Sequence, residues 1–304
     1  MEVRDLRAFA TTVELGSMTR AAERLHVVQS AVSQAVKRLE RELDLPLLER
    51  RREGVRPTEA GAALAEHAQV IMNGVSRADR DMAAYRNLEQ GHVRIGLLHT
   101  ATPLVLGPLL QRLRTVHPGL RLEFHEGMAA ELVELIQLGQ LDLLVVLSPV
   151  DAGGLRLDPL ARPRLTAVLP PRHRLASRRR VRLRELAKET WVSFPRANPG
   201  RSWLEDGCRA AGFAPARVVE VETLAHLKTF VTAGEGVALL PAGVAEPEGA
   251  TGALVVLDLL PSSTVVLACA TDPHQPQGRS VAAVRCLLED VAGTHRSGRA
   301  VRTP

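Results

Sequence analysis

The chain has 304 residues, 45% of them hydrophobic, enough for two domains with ordinary buried cores. Its longest apolar runs, such as 143–147 and 265–270, are strand-sized, far short of the roughly 20 residues that cross a bilayer. The first residues carry charge rather than a signal-like apolar stretch, so a cytoplasmic protein with no membrane partner is expected. Cys208, Cys269 and Cys286 show no Cys-x-x-Cys spacing and read as free thiols of a reducing compartment, with no metal and no cofactor expected. The net charge of +5 suits a polyanionic partner, yet residues 1–60 hold 11 Lys/Arg against 10 Asp/Glu, so any DNA argument rests on where charges stand.

The first 45 residues contain no proline and read as three helices. Leu6, Phe9, Ala10 and Val13 repeat at i, i+3, i+4, i+7; Gly16 stops that helix, and Ser17 or Thr19 caps the next. Ala21, Ala22 and Leu25 give the second helix a face of mostly small residues. The turn at His26, Val27 and Val28 leads to a third helix with Ala31, Val32, Ala35, Val36 and Leu39 inward. Two short helices, a tight turn and a third helix make a helix-turn-helix. Residues 47–50 and 54–57 then read as two short strands, a wing. Outward on the third helix lies a polar, uncharged stripe of Gln29, Ser30, Ser33 and Gln34 with Lys37 and Arg38 at its end. Glutamine can pair with adenine in the major groove, and the basic end suits the sugar-phosphate backbone, although a solvated helix face has the same composition.

From 58 to 90 a heptad is visible: Leu64, Ile71, Ala78 and Tyr85 fall seven apart, interleaved with Ala68, Val75 and Met82. Such a seam predicts a self-pairing helix roughly 50 Å long; the alternative is a helix packed on its own domain. Beyond Gly91, strands at 93–97, 120–125 and 143–147 alternate with helices at 102–117 and 131–138, a βαβαβ order with an open, largely parallel sheet. A second unit follows, with strands at 166–169, 191–194, 218–221 and 237–240 and helices at 203–211 and 224–233. Strand 265–270 and helix 280–291 return to the first unit. Two α/β lobes joined by two crossovers leave a cleft between them. The polar, basic tail from Gly293 reads as disordered.

The N-terminal residues resemble the LysR-type transcriptional regulators. The likeness is carried by Leu6-Arg7-Ala8-Phe9, by Gly16-Ser17-Met18-Thr19-Arg20-Ala21-Ala22-Glu23-Arg24-Leu25-His26, by Ser33-Gln34 and Arg38-Leu39-Glu40, by Leu47-Leu48-Glu49-Arg50 and by Pro57-Thr58-Glu59-Ala60-Gly61. Ala233-Gly234-Glu235-Gly236-Val237 extends it into the second domain. The resemblance implies a winged helix-turn-helix over 1–58, a linker and dimerisation helix over 59–91, and a two-lobed, Rossmann-like, periplasmic-binding-protein-like effector domain over 92–304. Lobe I then comprises about 92–161 and 266–304, and lobe II about 162–265.

By resemblance, Gln29 and Gln34 read bases with Ser30, Ser33 and Lys37 in support, Thr19, Arg50 and Thr58 touch phosphates, and Arg52 of the wing lies near the minor groove. One departure is Val28, which stands where the family carries a capping serine. A small effector would sit at strand ends and helix starts, at Leu98, His99, Thr100, Thr102, Met128, Ser148, Ser193, Phe194 and Arg196. Thr100 and Thr102 serve equally as helix caps or as anion ligands. Met128-Ala129, in a turn that is often polar in the family, points to a more apolar effector or a different binding pose. Arg162 and Arg164, near the hinge, can take a carboxylate, and the arginines of 172–184 read as a solvated surface or partner contact. Cys208 lies where peroxide-sensing relatives keep a redox cysteine, but no second cysteine is placed to complete a disulfide.

Implied partners are duplex DNA, an unidentified small-molecule effector, RNA polymerase and further copies of the chain, as a dimer through the linker helix and then a tetramer. Catalysis is not expected: the sequence has no P-loop, no Gly-x-Ser-x-Gly, no His-Glu-x-x-His and no dinucleotide fingerprint. A solute-binding protein would share the lobes but not the first 90 residues, and another winged-helix family would lack the lobes.

Overall fold

The computed structural model describes residues 1–51, 54–86, 91–196 and 198–294. Its contacts divide it into two units, Met1–Met82 and Ala83–Pro304.

In the first unit, α1 (Val3–Leu15), α2 (Met18–Leu25) and α3 (Gln29–Leu43) precede an antiparallel hairpin, β1 (Leu48–Arg51) and β2 (Gly54–Pro57), and then α4 (Glu59–Arg86). Gly16 ends α1 in the left-handed conformation at φ +62°. The Ser17 side chain caps α2 by accepting from the Arg20 N–H. Val28, at the N-cap of α3, makes no side-chain cap and is exposed, so α3 starts without that acceptor for its first-turn N–H groups. Leu6, Phe9, Val36, Leu39 and Leu47 form the core with Ala68 of α4, and Ala21, Ala22, Val32 and Ala35 join α2 to α3. Ala31 departs from the expected inner face: it is exposed, one position outside the Val32–Ala35–Val36–Leu39 stripe.

Polar contacts lock this packing. Asp5, almost wholly buried on α1, accepts from Arg38 Nη2 at 2.6 Å and Nε at 3.0 Å. The Arg38 side chain, 41% exposed, thus braces α3 against α1 with two of its N–H groups, a role that its expected place on the DNA backbone did not include. Glu40 Oε1 accepts from the Leu47 N–H at 2.9 Å and the Leu48 N–H at 3.3 Å, pinning the wing to α3. The wing returns to the α1–α2 turn through Val55 N–H to Gly16 O at 3.0 Å. There Gly54, at φ +131°, passes so close that a Cβ would strike the Gly16 carbonyl.

At 28 residues α4 is about 42 Å long. Its first turns belong to the winged unit: Leu64 is half-buried and Ala68 buried against that core, so the early heptad positions pack within the chain. Further on, Ile71, Ala78 and Met82 are exposed, Met82 by 57%.

In the second unit, β3 (His92–Leu98), α5 (Thr102–Val116), β4 (Arg121–Gly127), α6 (Ala129–Gln137), β5 (Leu143–Leu147) and β6 (Arg156–Ala161) build lobe I. Next come β7 (Leu165–Leu169), β8 (Arg180–Val181), a 3-10 turn (Leu183–Leu186), β9 (Trp191–Ser193), α7 (Pro199–Ala210), β10 (Val218–Glu220), α8 (Leu224–Thr232), β11 (Ala238–Pro241), α9 (Glu246–Thr251) and β12 (Val255–Leu259). The chain then returns through β13 (Leu267–Thr271) to α10 (Arg279–Thr294). The lobe I sheet runs β4-β3-β5-β13-β6, parallel among β3, β4 and β5, with β13 antiparallel to both its neighbours. β5 is buried on both faces. Leu143, Val145 and Leu147 enter the core shared with lobe II, and Leu144 and Val146 face α6 through Leu132 and Ile136.

Lobe II departs from a second parallel unit: β7 pairs antiparallel with β11 and β12 in the order β11-β7-β12-β8, while β9-β10, β8-β12 and the single bridge between Trp191 and Val237 are parallel. The two crossovers run side by side, with Leu165 N–H to Ser263 O at 2.8 Å and Val265 N–H to Pro163 O at 3.0 Å. The disorder expected of the tail falls on residues 295–304, outside the described residues, apart from its first two positions, which end α10.

Two variants test the first unit. A Cβ on Gly61 would collide with the Leu47 carbonyl, so Gly61→Ala should destabilise the winged unit by about 2 kcal/mol, read by urea unfolding. The Arg38 side chain holds the Asp5 carboxyl below its ordinary 3.8. A depressed carboxyl contributes stability at neutral pH that is lost as pH falls through the folded value. Asp5→Asn should cost about 1 kcal/mol at pH 7, discounted for the 41% exposed Arg38, and the gap to the parent should close as pH falls below about 4.

Candidate functional site

The outward face of α3 is set by which residues the core takes. With Val32, Ala35, Val36 and Leu39 inside, Gln29, Ser30, Gln34 and Lys37 are exposed and Ser33 is half-buried, on one stripe. Thr19 is exposed in the first turn of α2. Thr58 is otherwise engaged: its hydroxyl donates to Pro46 O at 2.7 Å and accepts from the Gly61 N–H at 3.0 Å, capping α4. It has a lone pair but no proton to spare, which corrects its expected role as a donor to phosphate. The side chain of Arg50 and the whole of Arg52 lie outside the described residues. The sequence did not single out Glu40 as the group that holds the wing beside this stripe.

In the second unit, the turns after β3 and β4 and the loop after β9 lead into α5, α6 and α7. Leu98 and Phe194 are fully buried members of the core, so the structure corrects both from ligand-facing to packing residues. Ser193 is buried beside them. His99 Nδ1 and the Thr100 hydroxyl, by contrast, are buried polar atoms with no hydrogen-bond partner among the described residues. An unpaired buried polar group costs about 1–3 kcal/mol, and here two stand in adjacent positions. Thr102 donates to Glu126 Oε1 at 2.5 Å, holding the β4 end to the start of α5.

Met128 precedes α6, and its sulfur lies 3.9 Å from Asn198 Nδ2, so the starts of α6 and α7 meet across the lobes. Asn198 is buried and caps α7 by accepting from the Gly200 N–H at 2.9 Å. Gly200 is required where Phe194 packs, since a Cβ would lie 2.5 Å from its ring. Asn198-Pro199 is a cap-and-N1 signature that sequence reasoning could have used to place this helix start. A groove of about 570 Å³ opens beside them, lined by Ala129, Val133, Pro149, Asp151, Arg196 and Asn198 among others. Of the arginines weighed as ligand groups, Arg196 is exposed at this groove. Arg162 is exposed on the crossover, and Arg164 faces Asp258 at 3.6 Å. Ser148 is tied into the crossover, its hydroxyl accepting from the Val266 N–H at 3.0 Å. Arg201, not anticipated, is buried between Glu205 at 2.9 Å and Glu220 at 2.8 Å.

The three cysteines are free. Cys208 is fully buried on α7 and burial pushes its thiol up to about 12, so no thiolate is present at neutral pH. Among the described residues there is no cluster of His, Cys, Asp and Glu able to hold a metal, and no helix long and apolar enough to cross a membrane.

Two family models match the chain: "Bacterial regulatory helix-turn-helix protein, lysR family" over residues 3–62, and "LysR substrate binding domain" over residues 86–293. The HTH-type transcriptional regulator CfxR of Cupriavidus necator is 32% identical over 259 residues, 85% of this chain and 81% of that one. A probable hydrogen peroxide-inducible genes activator of Mycobacterium leprae is 32% identical, covering 80% and 78%. Among solved structures, a full-length OxyR variant from Pseudomonas aeruginosa superposes with TM-score 0.71 at 24% identity over 96% and 97% of the chains. CbnR, a LysR family transcriptional regulator, superposes with TM-score 0.68 at 22% identity over 96% and 99%. The family models span the winged unit and the two-lobed domain alike, and a curated regulator aligns across both; the chain belongs to the LysR family of transcriptional regulators, non-enzymatic proteins that couple a DNA-binding helix-turn-helix to an effector-binding domain.

Proposed function

We propose that this regulator reads its operator with the exposed stripe of α3, Gln29 and Gln34 contacting bases, and Ser30, Ser33, Lys37 and Thr19 fixing the helix against base edges and phosphates. Arg50 and Arg52 of the wing carry the flanking backbone and minor-groove contacts. The observation that carries this reading is the division of α3: the Arg38 guanidinium is spent on Asp5 while the glutamines and Lys37 stand clear of the fold. Functionally the chain divides into 1–58 for DNA, 59–91 for self-association and 92–304 for the effector. Exposed Ile71, Ala78 and Met82 support a dimer through α4, which places two recognition helices in successive major grooves. A dimer of dimers in the cytoplasm that bears on RNA polymerase completes the proposal. The fold shared with full-length CbnR, solved in complex with its target DNA, supports the DNA reading.

For the second domain we place the effector where the starts of α5, α6 and α7 converge, compensating His99 Nδ1 and the Thr100 hydroxyl, with Arg196 and Asn198 at the mouth. Closure over the effector then shifts the regulator between two arrangements on DNA.

Gln34→Ala should weaken binding to DNA adjoining the protein's own gene by about tenfold while leaving random DNA nearly untouched, the loss of about 1–3 kcal/mol of base discrimination. Lys37→Ala should weaken both equally and lower the salt slope by about one. Fluorescence anisotropy across salt concentrations separates the two, and equal losses for Gln34→Ala would end its base-reading role. In the unliganded protein, Thr100→Val removes a buried hydroxyl without a partner and should leave stability unchanged or raised by about 1 kcal/mol. A loss above about 2 kcal/mol in thermal unfolding would show that the hydroxyl is already satisfied.

A further inference from the structure

We infer that the effector domain carries a second small-molecule site, apart from the cleft, that takes a carboxylate with an apolar body. It is a groove of about 720 Å³, within the size range of small-ligand sites, on the flank of α7 that faces the crossovers. One wall is the helical stripe Trp203, Gly207 and Ala210, spaced i, i+4, i+7; Leu183 of the 3-10 turn adjoins it, and Leu259 and Val265 line the crossover end. Gly207 lets Leu183 pack onto α7, since a Cβ there would lie 3.0 Å from its Cδ1, and Ala210 keeps the wall beyond it low.

The rim carries the charge. Arg182 and Arg184 are exposed at the mouth, and Arg184 has no partner among the described residues. Arg182 shares its field with Glu185, whose carboxyl is held below its ordinary value chiefly by the Arg182 backbone N–H and by Arg178. Asp206, the one acid lining the groove, is already paired with Arg209 at 2.6 Å. An apolar bed with a free guanidinium at its edge is complementary to a carboxylate head on an apolar tail, the head taken bidentately by Arg184. The groove shares only Pro149 with the one beside Asn198.

Its floor is the hinge itself. The Trp203 indole N–H donates to Ser148 O at 2.7 Å, and the Ser148 hydroxyl accepts from Val266 in the returning crossover. A molecule wedged between Trp203 and the 259–265 segment therefore bears on the strap that joins the lobes, making this a site for adjusting the effector response.

Sodium octanoate, titrated calorimetrically into the full-length protein, is the probe. We expect one octanoate per chain, no heat from octylammonium, and tighter binding of decanoate by several-fold, each buried methylene contributing about 0.8 kcal/mol at most. Arg184→Ala should weaken octanoate at least fivefold and Ala210→Trp should abolish it, while Thr100→Val, in the cleft, leaves it unchanged. Absence of binding at millimolar octanoate, equal binding of octylammonium, or full retention in Arg184→Ala would overturn the site. Loss in Thr100→Val alone would assign the ligand to the cleft. If Ala210→Trp fails to fold, Arg184→Ala and the octylammonium control decide, and neither outcome touches the cleft reading, which stands on Thr100.

Discussion

The apolar stripe of α3 and one ion pair together hold that helix against α1. Among the described residues of the winged helix-turn-helix, Asp5 is the only acidic side chain that is fully buried, and burying it is tolerable because Arg38 meets it with two hydrogen bonds. That pairing supports the rotation that the core sets: Val36 and Leu39 pack inside, Arg38 turns toward α1, and Gln34 and Lys37 are left outside. Glu40, two residues on, uses the same helix to hold the wing strand. A single helix thus serves as scaffold for the hairpin on one side and as a polar stripe on the other, and the scaffold half needs charge as much as the reading half does.

How much of this was legible in the sequence depends on the distance between partners. The core stripes of α1 and α3 follow from helical spacing, and β5 announces itself as five consecutive aliphatic residues. Gly16 as a helix stop and Ser17 as a cap are local chemistry and could be read locally. Arg38 could not: its partner lies 33 residues away, and a basic residue at the end of a polar stripe looks the same whether it faces phosphate or Asp5. Ser148 is a comparable case, since it bonds a residue 118 positions later. Three strands were not anticipated: β6 contains Pro159 and an exposed, mixed pattern, β8 is two residues long, and β12, although it lies in the apolar run 253–257, has only Leu257 and Leu259 buried. Lobe II looks like a copy of lobe I in sequence because alternating strands and helices do not reveal their direction, and the antiparallel return of β11 onto β7 is a property of the loops.

The candidate cleft illustrates a second reason. Motif position alone puts Leu98, Phe194, His99 and Thr100 in one class, but packing splits them, the first two supplying apolar filling and the last two stranded polar atoms. Burial without a partner is invisible in a sequence, where a threonine before a helix is first a candidate cap. The cysteines make the same point with the opposite result. Similarity to peroxide-responsive proteins says nothing about the state of Cys208, and its enclosure within α7 keeps it a thiol.

The paired crossovers have a mechanical consequence. Two covalent connections that also hydrogen-bond to each other act as a flat ribbon, compliant to folding across its width and stiff against shear along its length. Folding across such a ribbon leaves the Leu165–Ser263 and Val265–Pro163 hydrogen bonds intact, whereas shear along it would break them. Each lobe therefore meets the other through this paired strip as well as through the apolar core that both share.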